Sequence, residues 1–173
     1  MPAPHSLMVR PPAKLSHMTG RSDTRTVSGP GGGTALHRTS FLEFAPLPGA
    51  IPSARLHTVA ILHEWGLRDR SDDAALIVSE LMTNAAEASM ALPDRPPISL
   101  RLLASENSLI IEVWDHSPLD LEPTAMEPRE PDPEAECGRG LTVVAALADR
   151  WGWERAGHHR KIVWAELRIT PGR

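Results

Sequence analysis

The segment from Ser71 to about Met90 constrains this chain more than any other. Its middle, Leu76-Ile77-Val78-Ser79-Glu80-Leu81-Met82-Thr83-Asn84-Ala85, is apolar enough to bury most of a helix. Ser71 or Asp72 is the expected cap, and Pro93 closes the segment. Glu80 and Asn84 stand four residues apart, a spacing that stacks both side chains on one helix face. A carboxylate and a carboxamide on a buried face are costly unless they meet something polar. A ligand answers that need most simply, with the Asn84 carboxamide oxygen on a metal and the Glu80 carboxylate free to take a proton. Taken alone, the pair reads more readily as an exposed stripe on an amphipathic helix.

The rest of the chain narrows the choice. At 173 residues it has room for one domain with a proper core. A 41% hydrophobic and 23% charged composition belongs to a soluble globular protein, and a net charge of −4 gives no pull toward nucleic acid or anionic membrane. Cys137 is the single cysteine, which excludes a disulfide framework and a thiolate metal cluster and fits a reducing cytoplasm. No apolar run reaches the length of a membrane span, and no secretory apolar stretch opens the chain. Residues 1–38, with five prolines and the run Gly29-Pro30-Gly31-Gly32-Gly33, read as a mildly basic disordered tail ahead of a domain spanning 39–173. That glycine run lacks the Lys-Ser/Thr of a phosphate loop.

Phe41, Phe44 and Leu47 suit a short first strand ended by Pro46 and Pro48. The spacing of Leu56, Val59, Ala60, Leu62 and His63 predicts a helix over 51–65 stopped by Gly66, followed by the 71–90 helix. Ile98 to Leu102 and Leu109 to Trp114 alternate around Asn107, a hairpin. A long aperiodic stretch, 116–137, precedes a helix from Leu141 to about Asp149 and two closing strands, 151–155 and 161–169. Strands and helices fall in runs, which predicts an α+β fold: a two-layer sandwich with helices on one face of a mixed, mainly antiparallel sheet.

Two further segments carry chemistry. Asp115 ends the apolar strand before His116-Ser117-Pro118, where a carboxylate can accept a hydrogen bond from an exocyclic amine such as adenine's and refuse guanine's carbonyl. A turn-forming Asp is the plain alternative. Gly138-Arg139-Gly140 stands directly before Leu141 and its helix, where glycines admit a ligand and the first amides of the helix face phosphate oxygens. A lone Gly-x-Gly is also an ordinary loop-to-helix turn.

In their order and spacing these three segments resemble the N, G1 and G2 boxes of the GHKL (histidine kinase-like, Bergerat-fold) ATPases. The resemblance is closest to the anti-sigma factor serine kinases of the RsbW and SpoIIAB type. Ser79-Glu80-Leu81-Met82-Thr83-Asn84-Ala85, Gly138-Arg139-Gly140-Leu141, Ala146-Leu147-Ala148-Asp149-Arg150-Trp151-Gly152 and Val163-Trp164-Ala165-Glu166-Leu167 carry it, and it runs from about Thr39 to Arg168. It implies ATP and Mg²⁺ as cofactors, with Asn84 holding the metal and Glu80 acting as general base. Asp115 and Ser117 would belong to the adenine box, and Gly138, Arg139, Gly140 and Leu141 would line the phosphates. The implied partners are an anti-anti-sigma protein of the STAS fold, which supplies a serine nucleophile, a sigma factor, and a second copy of the chain. The reaction is a matter of positioning and charge neutralisation.

The chain departs from that pattern twice. Ala88 stands where relatives often carry a His, and Ser117 stands where Asp-x-Gly has its glycine, with Pro118 next. The stretch 116–137 falls at the position of the family's ATP lid and is acidic: Asp120, Glu122, Glu127, Glu130, Asp132, Glu134 and Glu136 face only Arg129. Such a lid repels triphosphate until a metal or a basic partner intervenes. Cys137, the histidines and the five tryptophans read as incidental or packing residues. Two readings remain open: a kinase that phosphorylates an antagonist, and an ATP-binding module that sequesters a partner without transferring phosphate. A histidine kinase fragment is disfavoured for want of a phosphoacceptor helix.

Overall fold

The computed structural model describes residues 21–28, 34–116, 139–156 and 160–169. Six strands form one sheet in the order β1 (Arg21–Ser28), β2 (Thr34–Phe44), β3 (Ile98–Ala104), β4 (Ser108–Asp115), β6 (Lys161–Arg168), β5 (Arg150–Arg155). Every ladder between them is antiparallel, so the mixed character expected from the sequence narrows to a purely antiparallel sheet among the described strands. Three helices complete the α+β sandwich: α1 (Ala50–Glu64), α2 (Ser71–Met90) and α3 (Arg139–Leu147). None of the described helices is long and apolar enough to cross a membrane.

Alternation in the strands decides which face is covered. On β3, Leu100 and Leu102 point to the helices, and their register partners Val113 and Ile111 on β4 do the same. Val163, Ala165 and Leu167 of β6 extend that row. α2 packs on α1, α3, β3, β4 and β6, and it buries Ala74, Ala75, Ile77, Val78, Leu81, Met82, Ala85 and Ala86. It is the buried helix that the apolar run requires. Truncating Ile77 or Leu81 to Ala at such sites costs about 2–5 kcal/mol.

Ends and turns follow local chemistry. Gly66 has φ +77° and closes α1, with Gly66 N–H donating to His63 O and Leu67 N–H to Leu62 O. That six-to-one closure requires a left-handed residue. α2 starts without a side-chain cap, contrary to expectation: the Ser71 hydroxyl donates back to Arg68 O at 2.7 Å. Asp72 and Asp73 in its first turn meet the positive helix end instead. Ser105 Oγ accepts from the Asn107 and Ser108 amides and holds the β3–β4 turn where Asn107 predicts it.

Two further expectations need correction. Order does not begin at Thr39: β2 starts at Thr34, and Arg21–Ser28 pairs with it as β1. Thr24, Thr26 and Val27 are β-branched, a signal masked by the surrounding prolines and glycines. The rest of the proposed tail lies outside the described residues. The helix at 51–65 is real, but its buried face is Ala50, Ala54, Thr58, Ile61 and Leu62, while Leu56 is 72% exposed. Small residues at 54 and 58 let α1 approach closely, and Thr58 satisfies its hydroxyl on Ala54 O. Reading only large side chains rotates the helix to the wrong face.

Candidate functional site

α2 presents Glu80 and Asn84 one turn apart, both half-buried. Ser79 and Thr83 beside them turn their hydroxyls back onto Ala75 O and Ser79 O, at 2.8 Å each. Glu80 lies against the first turn of α3. A Cβ built on Gly140 would stand 2.7 Å from Glu80 Oε2 and 3.6 Å from Glu80 Cβ and Cδ. The backbone of Gly140 is helical, and the end of the Glu80 side chain occupies the space that a side chain at 140 would take. The arrangement brings a carboxylate to the helix end that concentrates unpaired amides. Residues 80 and 140, far apart in sequence, thus share one place.

Asp115 ends β4 on the helix-facing side of the sheet and is 1% exposed. Lys161, opposite it in register on β6, places Nζ 3.3 Å from Oδ2. Oδ1 is buried and has no hydrogen-bond partner. Burial pushes the Asp115 carboxyl above its ordinary range, and the Lys161 charge and hydrogen bond oppose that shift. A buried carboxylate oxygen left open in this way is what an exocyclic amine satisfies. The open acceptor at Asp115 therefore fits the amine of an adenine base.

Of the other sequence candidates, Arg139 begins α3. Leu141 is 9% exposed and packs in the core with Val144, so only its backbone is available to a ligand. Ser117, Gly138, Cys137 and the acidic stretch from 117 onward lie outside the described residues, as do His158 and His159. His57 serves structure: its Nε2 meets Ser40 Oγ at 2.8 Å, and burial lowers its pKa. Trp65 is buried, and Trp151 and Trp153 pack against the core, in keeping with the packing role expected of them.

Lys161 is the residue that sequence reasoning missed. It reads as the first residue of a closing strand, and nothing local marks it. Only the β4–β6 pairing puts it beside Asp115.

Residues 44–167 match the family model of the histidine kinase-like ATPase domain. No curated protein matches the chain. The matched stretch runs from the end of β2 to the last residues of β6 and contains Glu80, Asn84, Asp115, Gly140 and Lys161. The chain belongs to the histidine kinase-like ATPase domain family, and ATP is its ligand.

Proposed function

We propose that this protein is a cytoplasmic anti-sigma-factor-type regulator: an ATP-dependent serine/threonine kinase that phosphorylates an anti-anti-sigma protein of the STAS fold. A sigma factor or a second copy of the chain would be its further partners. One observation carries this reading. Glu80 is held against the first turn of α3, one helical turn from Asn84.

Asp115 Oδ1 accepts from the adenine amine. The amides at Arg139, Gly140 and Leu141 face the phosphates, with the helix dipole behind them. Asn84 would hold Mg²⁺ through its carboxamide oxygen, and the metal supplies neutralisation of phosphate charge. The antagonist's serine oxygen bonds to the γ-phosphorus as the bond from that phosphorus to the bridging oxygen of ADP breaks. Glu80 receives the serine proton. The protein's own work is to orient these groups.

Titration calorimetry with Mg·ATP and Mg·GTP tests the site, with Asp115→Asn and Asn84→Ala as variants. Saturable ATP binding that GTP does not match, weakened in both variants, is expected. Kinase action is tested by incubating the protein with Mg·ATP and purified STAS proteins and mapping phosphoserine by mass spectrometry. The replacement of the usual glycine by Ser117 favours a second reading, an ATP-binding module that sequesters a partner without transfer. Binding of ATP and of a partner with no phosphoserine would select it.

A further inference from the structure

The Asp115–Lys161 pair poses a question that stability does not answer. Asp115 is 1% and Lys161 9% exposed, and a buried ion pair is often no more stable than a well-packed apolar pair. The contact is also lopsided, because Lys161 Nζ engages Oδ2 while Oδ1 is left buried without a partner.

We propose that Lys161 is a specificity-determining positioning residue of the nucleotide pocket. By engaging Oδ2 it fixes the Asp115 carboxylate in rotation, so that Oδ1 is offered to an exocyclic amine and a carbonyl in the same place is refused. This rests on the reading that Asp115 meets the base.

The identity of the basic residue matters. A lysine ammonium is a point charge that serves one oxygen, whereas an arginine fork takes both oxygens of a carboxylate. With arginine at 161, Oδ1 would be occupied and the acceptor lost. With an apolar residue there, the buried carboxyl would lose the charge that opposes its desolvation, and it would tend toward its protonated form. A protonated carboxyl can donate to a carbonyl and no longer insists on an amine. The β4–β6 register holds the arrangement, because Asp115 and Lys161 are direct cross-strand neighbours.

The test compares Mg·ATP with Mg·ITP, which carries a carbonyl where ATP has its amine, in the full chain with Lys161→Met and Lys161→Arg. Dissociation constants come from calorimetry and folding from circular dichroism and thermal melting. The wild type is expected to prefer ATP, and both variants to lose about tenfold or more of that preference, the worth of one charge-assisted hydrogen bond. A purely structural role would weaken both nucleotides equally and leave their ratio unmoved. Either variant, folded and keeping the wild-type ratio while the wild type binds ATP, overturns the role of Lys161 alone. A wild type that does not saturate with Mg·ATP overturns the site reading beneath it, and the proposal with it. Should Lys161→Met fail to fold, Lys161→Arg, which keeps the charge, decides.

Discussion

Glu112 and Asp115 stand three residues apart on β4, on opposite faces of the sheet, at 4% and 1% exposure. Each has a basic residue on a neighbouring strand. Glu112 Oε2 accepts from Arg101 Nε at 2.7 Å, from Arg101 Nη2, and from Trp114 Nε1 at 3.2 Å. Arg101 and Arg160 lie over the Trp114 ring at 5.5 and 5.2 Å, which ties the cluster together by cation–π attraction. Asp115, by contrast, receives Lys161 on one oxygen and leaves the other open. The same strand therefore carries one carboxylate oxygen, Glu112 Oε2, that gathers three donors from its own fold and another, Asp115 Oδ1, that has none. Donors from the fold give Glu112 a structural role, whereas Asp115 Oδ1 can still accept a hydrogen bond from outside the fold.

The largest effect expected is at Glu112. Glu112→Ala leaves Arg101 and the Trp114 N–H without their acceptor, and stability should fall by about 2–4 kcal/mol. Urea unfolding measures this, and the preference for ATP over ITP should not move. A weakened preference in that variant would break the comparison.

Next comes Asp115→Asn, which replaces the open oxygen's carboxylate with a weaker acceptor. ATP affinity should drop by about 10- to 100-fold, with a smaller stability loss than Glu112→Ala shows under the same unfolding conditions. The reverse pattern, stability lost and affinity kept, would place Asp115 with the structural group.

A third carboxylate sharpens the contrast. Gly140→Ala puts a methyl where Glu80 Oε2 now lies, and the flexible end of Glu80 can swing away. Phosphoryl transfer or ATP hydrolysis should slow by about tenfold or more, because the base proposed at Glu80 would lose its geometry. Melting temperature should change little. Unchanged turnover with Glu80 displaced would remove it as the base.

The smallest effect is a pH dependence. Because burial raises the folded Asp115 pKa above its ordinary 3.8, the folded chain holds a proton that the unfolded chain has released in the window above that value. Stability from this group is therefore greatest at low pH and falls as pH rises through the folded pKa. ATP affinity runs the other way, since the open oxygen must be unprotonated to accept. Asp115→Asn should flatten both trends, measured by thermal melts and calorimetry across the acid range.

Much of this was legible in local pattern. The α2 helix, the β3–β4 hairpin, the Gly66 stop and the pairing of Glu80 with Asn84 all depend on residues within a turn or two of each other. What was missed depends on distance or on small side chains. Ala54 and Thr58 set the buried face of α1, and a search for large apolar residues chose Leu56 instead. Strand β1 is spelled in threonines and a single valine, without alternating bulk. The meeting of Glu80 with Gly140, and of Asp115 with Lys161, arises only when separated segments pack. Asp115 could be nominated from its strand end, but its vacancy could not, because a vacancy is a property of neighbours.

Strand β6, last of the described strands, is inserted between β4 and β5. Its ladder with β4 joins residues separated by all of α3 and β5. Pairings of such long range form late, after the local hairpin and helices have collapsed. A chain still being synthesised would thus hold Glu80 and Asn84, the proposed base and metal ligand, early on α2, while the Asp115 end of the proposed pocket waits for Lys161. The protein should be unable to recognise its nucleotide until nearly the whole domain has emerged, so ATP rewards only the finished sheet.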